Sequence, residues 1–575
     1  MIRDRIHSCI EGLGHTVRLA DAGSKLLVEF VVQGRTVTLV HTFPDELLRI
    51  PKFYLVDDHE FGKLAHVGVD ENGEYGEVCI ADPLSTAINI DKPELAYRDT
   101  VEGHVQSLTR LIEDPAYNRT EQLREFDAHW KILCDKVEGG PNELFVAWEG
   151  DKSEGLQTKQ PRSDVGTDLH TRPIAMTDTF ANDRRLTSVR AGAEWDVRPV
   201  VGRSLAIRLD SVEPVPGTQR DLLEWYFDII AQVDRAARRE LRRLQRKRRC
   251  DYWLVFSAPV PDGKTMFAFH WHSRSPCGLP TSTREAAASC WTATPYRIRS
   301  LSQASLVPRG GGSLSLSDRT VLLVGCGSVG SELALRLTST GVGHLTISDP
   351  DTLSEENLYR HTLSVHDIGR RKAEALARDI ALKHPWAEVT HWYQSLENLR
   401  ESAVLGKFDL IVIAIGSPNV ERAFAEYCIQ EQIDVPVINC WLEGYGIGGH
   451  AILVVPGTSG CWHCAYVDPD TLTRGLSSNL NFLAPNQSLM RNQGGCGTQF
   501  LPYSGIAAAY TASVAADLAV RFLQGHVTIS SKVSWKGTDT EVRRQSLSLT
   551  WRYDHFTDSL QTLPLHDKNC DSCGA

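Results

Sequence analysis

The sequence predicts a three-domain protein: a Rossmann-like α/β domain at the C-terminus, preceded by two α+β domains. Three observations carry that expectation. The chain has 575 residues, enough for three or four domains that each bury a core. Two polar stretches poor in large apolar residues, GDKSEGLQTKQPRSDVGTD and LVPRGGGSLSLSDRT, divide it into regions 1–150, 151–310 and 311–575. The last region opens RTVLLVGCGSVGSELALRL, a continuous apolar strand, then glycines in G-x-G-x-x-G spacing, then a helical pattern.

Region 1–150 opens with a short helix and continues through KLLVEFVVQ and RTVTLVHTF, β-branched and aromatic runs broken at Gly34, which predict an antiparallel meander. IPKFYLV and a turn-rich segment ending in GEVCIADP follow, then a helix over 93–112. In region 151–310, RSLAIRL and DYWLVFSAP predict strands, with one long helix between them that starts near Gln219 and ends in the basic run RAARRELRRLQRKRR. That run suits the negative end of a helix dipole as a solvated helix end, with an acidic partner or nucleic acid as the alternative.

A net charge of −11 argues against a dedicated nucleic-acid binder. The first 20 residues carry charges throughout, and no window reaches the roughly 18 apolar residues of a membrane span, so the expected location is the cytoplasm, with no membrane partner. Thiols stay reduced there, and the 14 cysteines read as metal ligands, nucleophiles or small core residues.

In region 311–575, Gly325, Gly327 and Gly330 permit a tight turn and close approach to a phosphate, and the following helix offers its N-terminal amides to the anion. This pattern alone does not separate a nicotinamide or flavin site from an ATP site. The next strand, HLTISDPD, ends in Asp349 and Asp351, where a carboxylate reaches ribose hydroxyls. Arg360 and Lys372 follow, a pair of cations that phosphates need and a redox cofactor does not.

GCGSVGSELALRL, ISDPDTLSEENLYRH and GRRKAEAL resemble the ThiF and ubiquitin-activating adenylating superfamily, which includes the bacterial enzymes that activate sulfur-carrier proteins. The resemblance implies ATP-dependent activation of a protein's C-terminal glycine carboxylate as an acyl-adenylate. By motif position Asp349 would hold ribose, while Asn357, Arg360 and Lys372 would hold and polarise phosphates. The chain departs from that pattern twice. His361 stands where the family carries Gln, and IGSPN, with Ser417 or Pro418, replaces a Thr-Asp-Asn whose Asp handles magnesium, leaving Asp351 as the acid offered to that ion.

GCWHC, with Cys461 and Cys464, and NCDSC, with Cys570 and Cys573, supply four thiolates for a tetrahedral zinc that clips the C-terminal tail to the domain. A redox dithiol is the weaker alternative. The resembled family carries the same two pairs, and His463 between the first two ligands reads as solvent-exposed. Cys496, in GGCGTQF, is left without a partner. In the family, a cysteine on a mobile crossing loop ahead of a segment like FLPYSG attacks the adenylate and becomes a thioester, a step that thiolate nucleophilicity makes physically reasonable.

TFPDELLRIPKFYLV and HVGVDENGEYGEVCI resemble the ubiquitin-conjugating fold, and Cys79 falls on its catalytic cysteine. The His-Pro-Asn of that fold appears as His66, Val67 and Gly68, so its oxyanion-stabilising Asn is absent, and His66 or a backbone amide is the expected replacement. The three regions together resemble the fused activating-conjugating enzymes of bacterial antiphage systems, above all type II CBASS. The resemblance implies ATP, magnesium and zinc as cofactors and a homodimer built on the adenylating domain. It implies a protein substrate with a C-terminal glycine, either a CBASS cyclic-nucleotide synthase or a small ubiquitin-like modifier. The acyl group would pass from Cys496 to Cys79 and on to an amine of a target protein. A nucleotide-binding scaffold without chemistry is the rival reading.

Overall fold

A computed structural model describes residues 2–44, 50–56, 61–69, 76–79, 89, 91–137, 142–159, 172–181, 203–217, 219–288, 291–400, 402–492, 499–557 and 560–573. The chain divides into two compact units, Met1–Thr179 with Asp196–Ser300, and Phe180–Trp195 with Leu301–Ala575.

The first unit begins with helix α1 (Ile2–Glu11), which buries Ile6 and Ile10 from one face. Strands β1 (Thr16–Ala20), β2 (Lys25–Val32), β3 (Arg35–Thr42) and β4 (Phe53–Val56) pair antiparallel in chain order, the expected meander. The β2–β3 hairpin closes through Gln33 and Gly34, with φ +52° and +77°, the left-handed pair that a two-residue turn needs. With β5 (Val67–Val69) and β6 (Gly76–Val78) the sheet order is β1-β2-β3-β4-β6-β5. Helix α2 (Pro93–Glu113) packs Tyr97, Val101, Leu108 and Leu111 with Leu26, Val28, Leu39 and Leu55 of this sheet.

Helices α3 (Pro115–Arg124) and α4 (Phe126–Asp135) lead to a closed barrel. Its strands are β7 (Glu143–Ala147), β8 (Glu154–Lys159), β9 (Ile174–Thr177), β10 (Arg203–Arg208), β11 (Arg249–Val260), β12 (Gly263–Cys277) and β13 (Trp291–Ser300). Three sequence expectations change here. Strand β7 lies inside the first region as drawn, yet it pairs in parallel with β13, so the barrel starts before residue 150. The polar stretch after Gly150 contains β8 rather than a linker alone. The single long helix is also two, α5 (Gln219–Gln232) and α6 (Arg235–Gln245). Asp234 caps α6, its side chain accepting from Ala237 N–H at 2.7 Å. The arginines of α6 stay on the outer face while Ala237, Leu241 and Leu244 are buried.

In the second unit the Gly- and Ser-rich segment read as a linker carries a short helix over Gln303–Arg309. A sheet follows, built on β14 (Thr320–Val324), β15 (His344–Ser348), β16 (Glu388–Trp392), β17 (Leu410–Ile413) and β18 (Val437–Leu442), all parallel. Strand β14 is flanked by β15 on one side and β17 on the other, so the order reverses there, and in open α/β sheets such a reversal is where ligands bind, outside the strands' C-terminal ends. Helices α7 (Ser328–Ser339), α8 (Lys372–Lys383) and α9 (Pro418–Gln430) connect these strands. Strand β19 (Gly448–Val454) extends the sheet antiparallel. Strands β20 (Arg491–Asn492) and β21 (Gln499–Phe500) pair with each other.

Helix α10 (Gly505–Leu523) is long and apolar enough, by length and composition, to cross a membrane, contrary to the expectation that no window qualifies. Its alanines 508, 512, 515 and 519 are instead buried in the core of this unit beside Val321, Leu333 and Ala451. Strands β22 (Ser531–Lys536) and β23 (Leu563–Pro564) complete the eight-stranded sheet.

Candidate active site

The glycine turn is built by close packing on one side and openness on the other. Gly325 has φ +87°, and a Cβ there would lie 2.8 Å from Ala414 O. A Cβ on Gly330 would lie 1.9 Å from Gly325 O, so only glycine lets α7 sit against the end of β14. At Gly327, which caps α7, an added Cβ meets nothing within 4 Å among the described residues, which leave the turn open there.

Asp349 fastens this turn. One of its oxygens accepts from Cys326 N–H at 2.8 Å and the other from Asp351 N–H at 2.8 Å. His361 does the same from the other side. Its Nδ1 accepts from Leu363 N–H at 3.1 Å, so its Nε2 carries the proton and donates to Cys326 O at 2.7 Å. Burial holds the ring below its ordinary pKa, and it stays neutral. A neutral imidazole thus gives the turn one N–H donor, which a Gln amide also can. The Cys326 thiol between them is pushed well up by burial and is inert.

Lys372, the first residue of α8, lies 3.1 Å from Asp351 Oδ2 and is buried, and its charge acts on both Cys326 and His361. Arg360 lies over the ring of Tyr503, 5.2 Å from its centroid, and the Tyr503 hydroxyl is 2.8 Å from Ser328 Oγ at the start of α7. Neither residue carries a local sequence signal of this contact: Tyr503 lies in FLPYSG and Ser328 inside the glycine motif. Asn357 accepts from the Ser354 N–H and hydroxyl at 3.2 and 3.3 Å, closing the short helical turn that leads to Arg360.

Cys461, Cys464, Cys570 and Cys573 converge with all four sulfurs within 4.8 Å of one another, Cys461 to Cys570 at 3.7 Å and Cys464 to Cys573 at 3.3 Å. Tetrahedral zinc with bonds of about 2.3 Å sets sulfurs about 3.8 Å apart, so the donor set fits. His463 is buried rather than exposed. Its Nδ1 lies 2.7 Å from Ser572 Oγ and its Nε2 2.8 Å from Glu426, while Arg474 donates to Asp571 and Ser572. These contacts pin the tail that carries the second cysteine pair.

Residues 301–575 match the family model described as the ThiF family. This region is a ThiF-family domain. Among curated relatives, the chain is 29% identical over 209 residues to the ATP-dependent ubiquitin transferase-like protein Cap2 of Escherichia coli strain TW11681, covering 35% of this chain and 34% of that one. It is 26% identical over 220 residues to the Cap2 protein of Pseudomonas aeruginosa strain BWHPSA011, covering 38% of each. It is 27% identical over 158 residues to the sulfur carrier protein ThiS adenylyltransferase of Escherichia coli K12, covering 27% of this chain and 62% of that one. The matches to Cap2 thus span little more than a third of those relatives' length.

Within the ThiF domain, Cys496 lies outside the described residues, between the paired strands β20 and β21. Ser417 N–H donates to Glu421 Oε1 at 3.2 Å, and burial raises the Glu421 carboxyl to about 7. That carboxylate is turned to the cap of its own helix, and Asp351 is paired with Lys372, so the residues present do not reproduce the magnesium site of the resembled family.

In the first unit Cys79 is exposed directly after β6, and its N–H donates to His66 O at 2.8 Å. His66 adopts φ +60° and is held there by carboxylates. Its N–H donates to Glu125 at 2.6 Å, its Nδ1 lies 2.7 Å from Glu125 and its Nε2 3.2 Å from Glu121. Asn118 and Gln122 bind the backbone of Lys63 and Ala65. The ring of His66 is therefore committed to these glutamates and anchors the segment that meets Cys79.

Hydrogen bonding to Glu125 outweighs burial and raises His66 above its ordinary value of 6.5. Its stabilising contribution is complete below about pH 6.5 and is lost as pH climbs through the raised folded value. Lys63, lowered to about 8 by burial, acts in the opposite sense only above that pH. Amide-exchange protection at Cys79, corrected for intrinsic rates, should fall between pH 6.5 and 8, and His66→Gln should flatten the profile. Equal profiles for the two proteins would refute the anchor.

Proposed function

We propose that the chain uses ATP to activate the C-terminal glycine carboxylate of a partner protein and conjugates that protein to a target amine. Supporting this reading most directly is the opening at Gly327, with Asp349 and His361 fixing the adjacent backbone and the buried Lys372 charge acting on the same turn. Asp349 would receive the ribose, and Lys372, Arg360 and Asn357 the phosphates. The carboxylate then attacks the α-phosphate, pyrophosphate leaves, and the acyl-adenylate carries a leaving group that a thiolate displaces. Cys496 takes the acyl group as AMP departs, Cys79 receives it by thioester exchange, and an amine attacks that thioester. Bound zinc would supply a structural clip for the tail that carries Cys570 and Cys573.

The printed name of the Cap2 relatives, ATP-dependent ubiquitin transferase-like protein, supports transfer of a protein. The sequence resemblance to fused activating-conjugating enzymes supplies the finer reading: a CBASS cyclic-nucleotide synthase as partner, with conjugation in antiphage defence, in the cytoplasm, by a homodimer. A small ubiquitin-like modifier is the alternative. Ser417 at the position of an expected Asp favours the scaffold reading, and one assay separates it. Radiolabelled pyrophosphate should exchange into ATP when proteins encoded beside this gene are supplied, and absence of exchange with all of them would leave the scaffold. Charging of Cys79 should vanish in Cys496→Ala, and its persistence would overturn the order of transfer.

A further inference from the structure

We propose that the barrel of the first unit binds a divalent transition-metal ion at its mouth through Asp251, His270 and His272. The three residues come from neighbouring strands and share one face. His270 and His272 are two apart on β12, and Asp251 of β11 stands directly opposite His272 in the antiparallel register. The parity of these positions is that of Trp253, Val255 and Ala268, whose side chains pack with Leu144, Leu156, Ala175 and Ala206 of the other strands. The alternate residues, Tyr252, Leu254, Phe267 and Phe269, pack instead with helices α4, α5 and α6. The site therefore belongs to the inward face. Its side chains grade from 17% exposed at His270 through 30% at Asp251 to 54% at His272, which puts it at the barrel's end.

The ligand atoms already converge. Asp251 Oδ1 lies 2.9 Å from His270 Nε2 and 2.8 Å from His272 Nδ1, and the three groups' ligand atoms are within 4.8 Å of one another. Bonds of about 2.0–2.1 Å in a tetrahedral site set ligand atoms about 3.3 Å apart, so the cluster needs to open by about half an ångström. Trp253 stacks on His270 with ring centroids 4.2 Å apart and planes 15° from parallel, which fixes the plane of that imidazole before any ion arrives. Two imidazoles and one carboxylate suit zinc, cobalt or nickel rather than calcium or magnesium, and three protein ligands leave a position open to water or to a substrate. Without an ion, one carboxylate oxygen accepts two N–H groups. With an ion, each ligating nitrogen presents its lone pair, and its proton moves to the other ring nitrogen or to solvent.

This site is chemically distinct from the four-cysteine cluster, and the test exploits the difference. The full chain, stripped with chelator and reloaded with zinc, is compared with His270→Ala/His272→Ala, counting metal by mass spectrometry and checking the fold by circular dichroism. Loss of about one zinc per chain in the folded double variant is the expected result. Nickel, which favours nitrogen and oxygen ligands, should bind Asp251→Asn more than about 100-fold more weakly than the unmodified chain by calorimetry, since removing a ligand costs at least as much as removing its supporting hydrogen bond. Equal zinc content and equal nickel isotherms would reduce the cluster to a hydrogen-bonded trio and overturn the proposal.

Discussion

Lys372→Ala should lower partner-dependent ATP–pyrophosphate exchange by on the order of 10²–10³-fold while leaving the ThiF domain folded, the loss typical when one preorganised charge-stabilising donor is removed. The ammonium stands at the first position of α8, where the helix dipole adds to its field, and its side chain is 10% exposed. A phosphate bound there would meet a charge that water screens little. The structural cost of the substitution is small by comparison. Lys372 pairs with Asp351, whose side chain is 66% exposed, and losing such a pair leaves a carboxylate that water can solvate, a change within about 1 kcal/mol. A domain of this size should then keep its melting temperature to within about 4 °C. Lys372→Arg tests geometry against charge, because a planar guanidinium on a different stem keeps the cation and moves its donors. If exchange in Lys372→Ala stays within about threefold of the unmodified chain, Lys372 is an ion-pair partner of Asp351 and nothing more.

What the sequence made legible was chemistry carried by short spacings. Gly325, Gly327 and Gly330 are legible by their spacing, and the steric environments found at Gly325 and Gly330 are those a tight strand-turn-helix junction demands. The two cysteine pairs are each a short motif, and their convergence needed only the assumption that four thiols share one ion. The β2–β3 hairpin was readable because Gly34 breaks two strand-like runs. What stayed hidden was set by distant pairing. Strand β7 reads like any apolar strand, and its assignment to the barrel is decided by Arg297↔Glu143 and its neighbours, more than 150 residues away. Tyr503 reaches Ser328 across 175 residues. His463 lies between two cysteines in a polar-looking motif, and only the return of Ser572 and Glu426 buries it. The break between α5 and α6 was different in kind: Asp234 is a local cap signal, outweighed in the reading by helical periodicity on both sides.

With zinc held by the four cysteines as proposed, Cys464→Ala should release the metal and lower the melting temperature of the ThiF domain by more than about 10 °C, the largest stability change argued here. Binding free energies of structural zinc run at roughly 10 kcal/mol or more and count as folding free energy, because the unfolded chain does not hold four thiolates together. Losing even half of that, at about 2–4 °C per kcal/mol for a domain of this size, moves the transition by 10 °C or more. The buried surroundings concentrate the effect, since Cys464 and Cys570 pack with Ile452, Trp462, Leu480 and Leu565, and the tail bearing Cys570 is tied down by Arg474 and His463. A disulfide reading makes the opposite prediction. Cys464 and Cys573 are 3.3 Å apart at sulfur, close enough that an oxidised pair could account for the same tethering. Under reducing conditions a strong chelator should destabilise the domain as the substitution does, and excess reductant alone should leave it unchanged. The reverse pattern, stability lost to reductant and indifferent to chelator, would assign the four cysteines to redox pairs and withdraw the zinc clip.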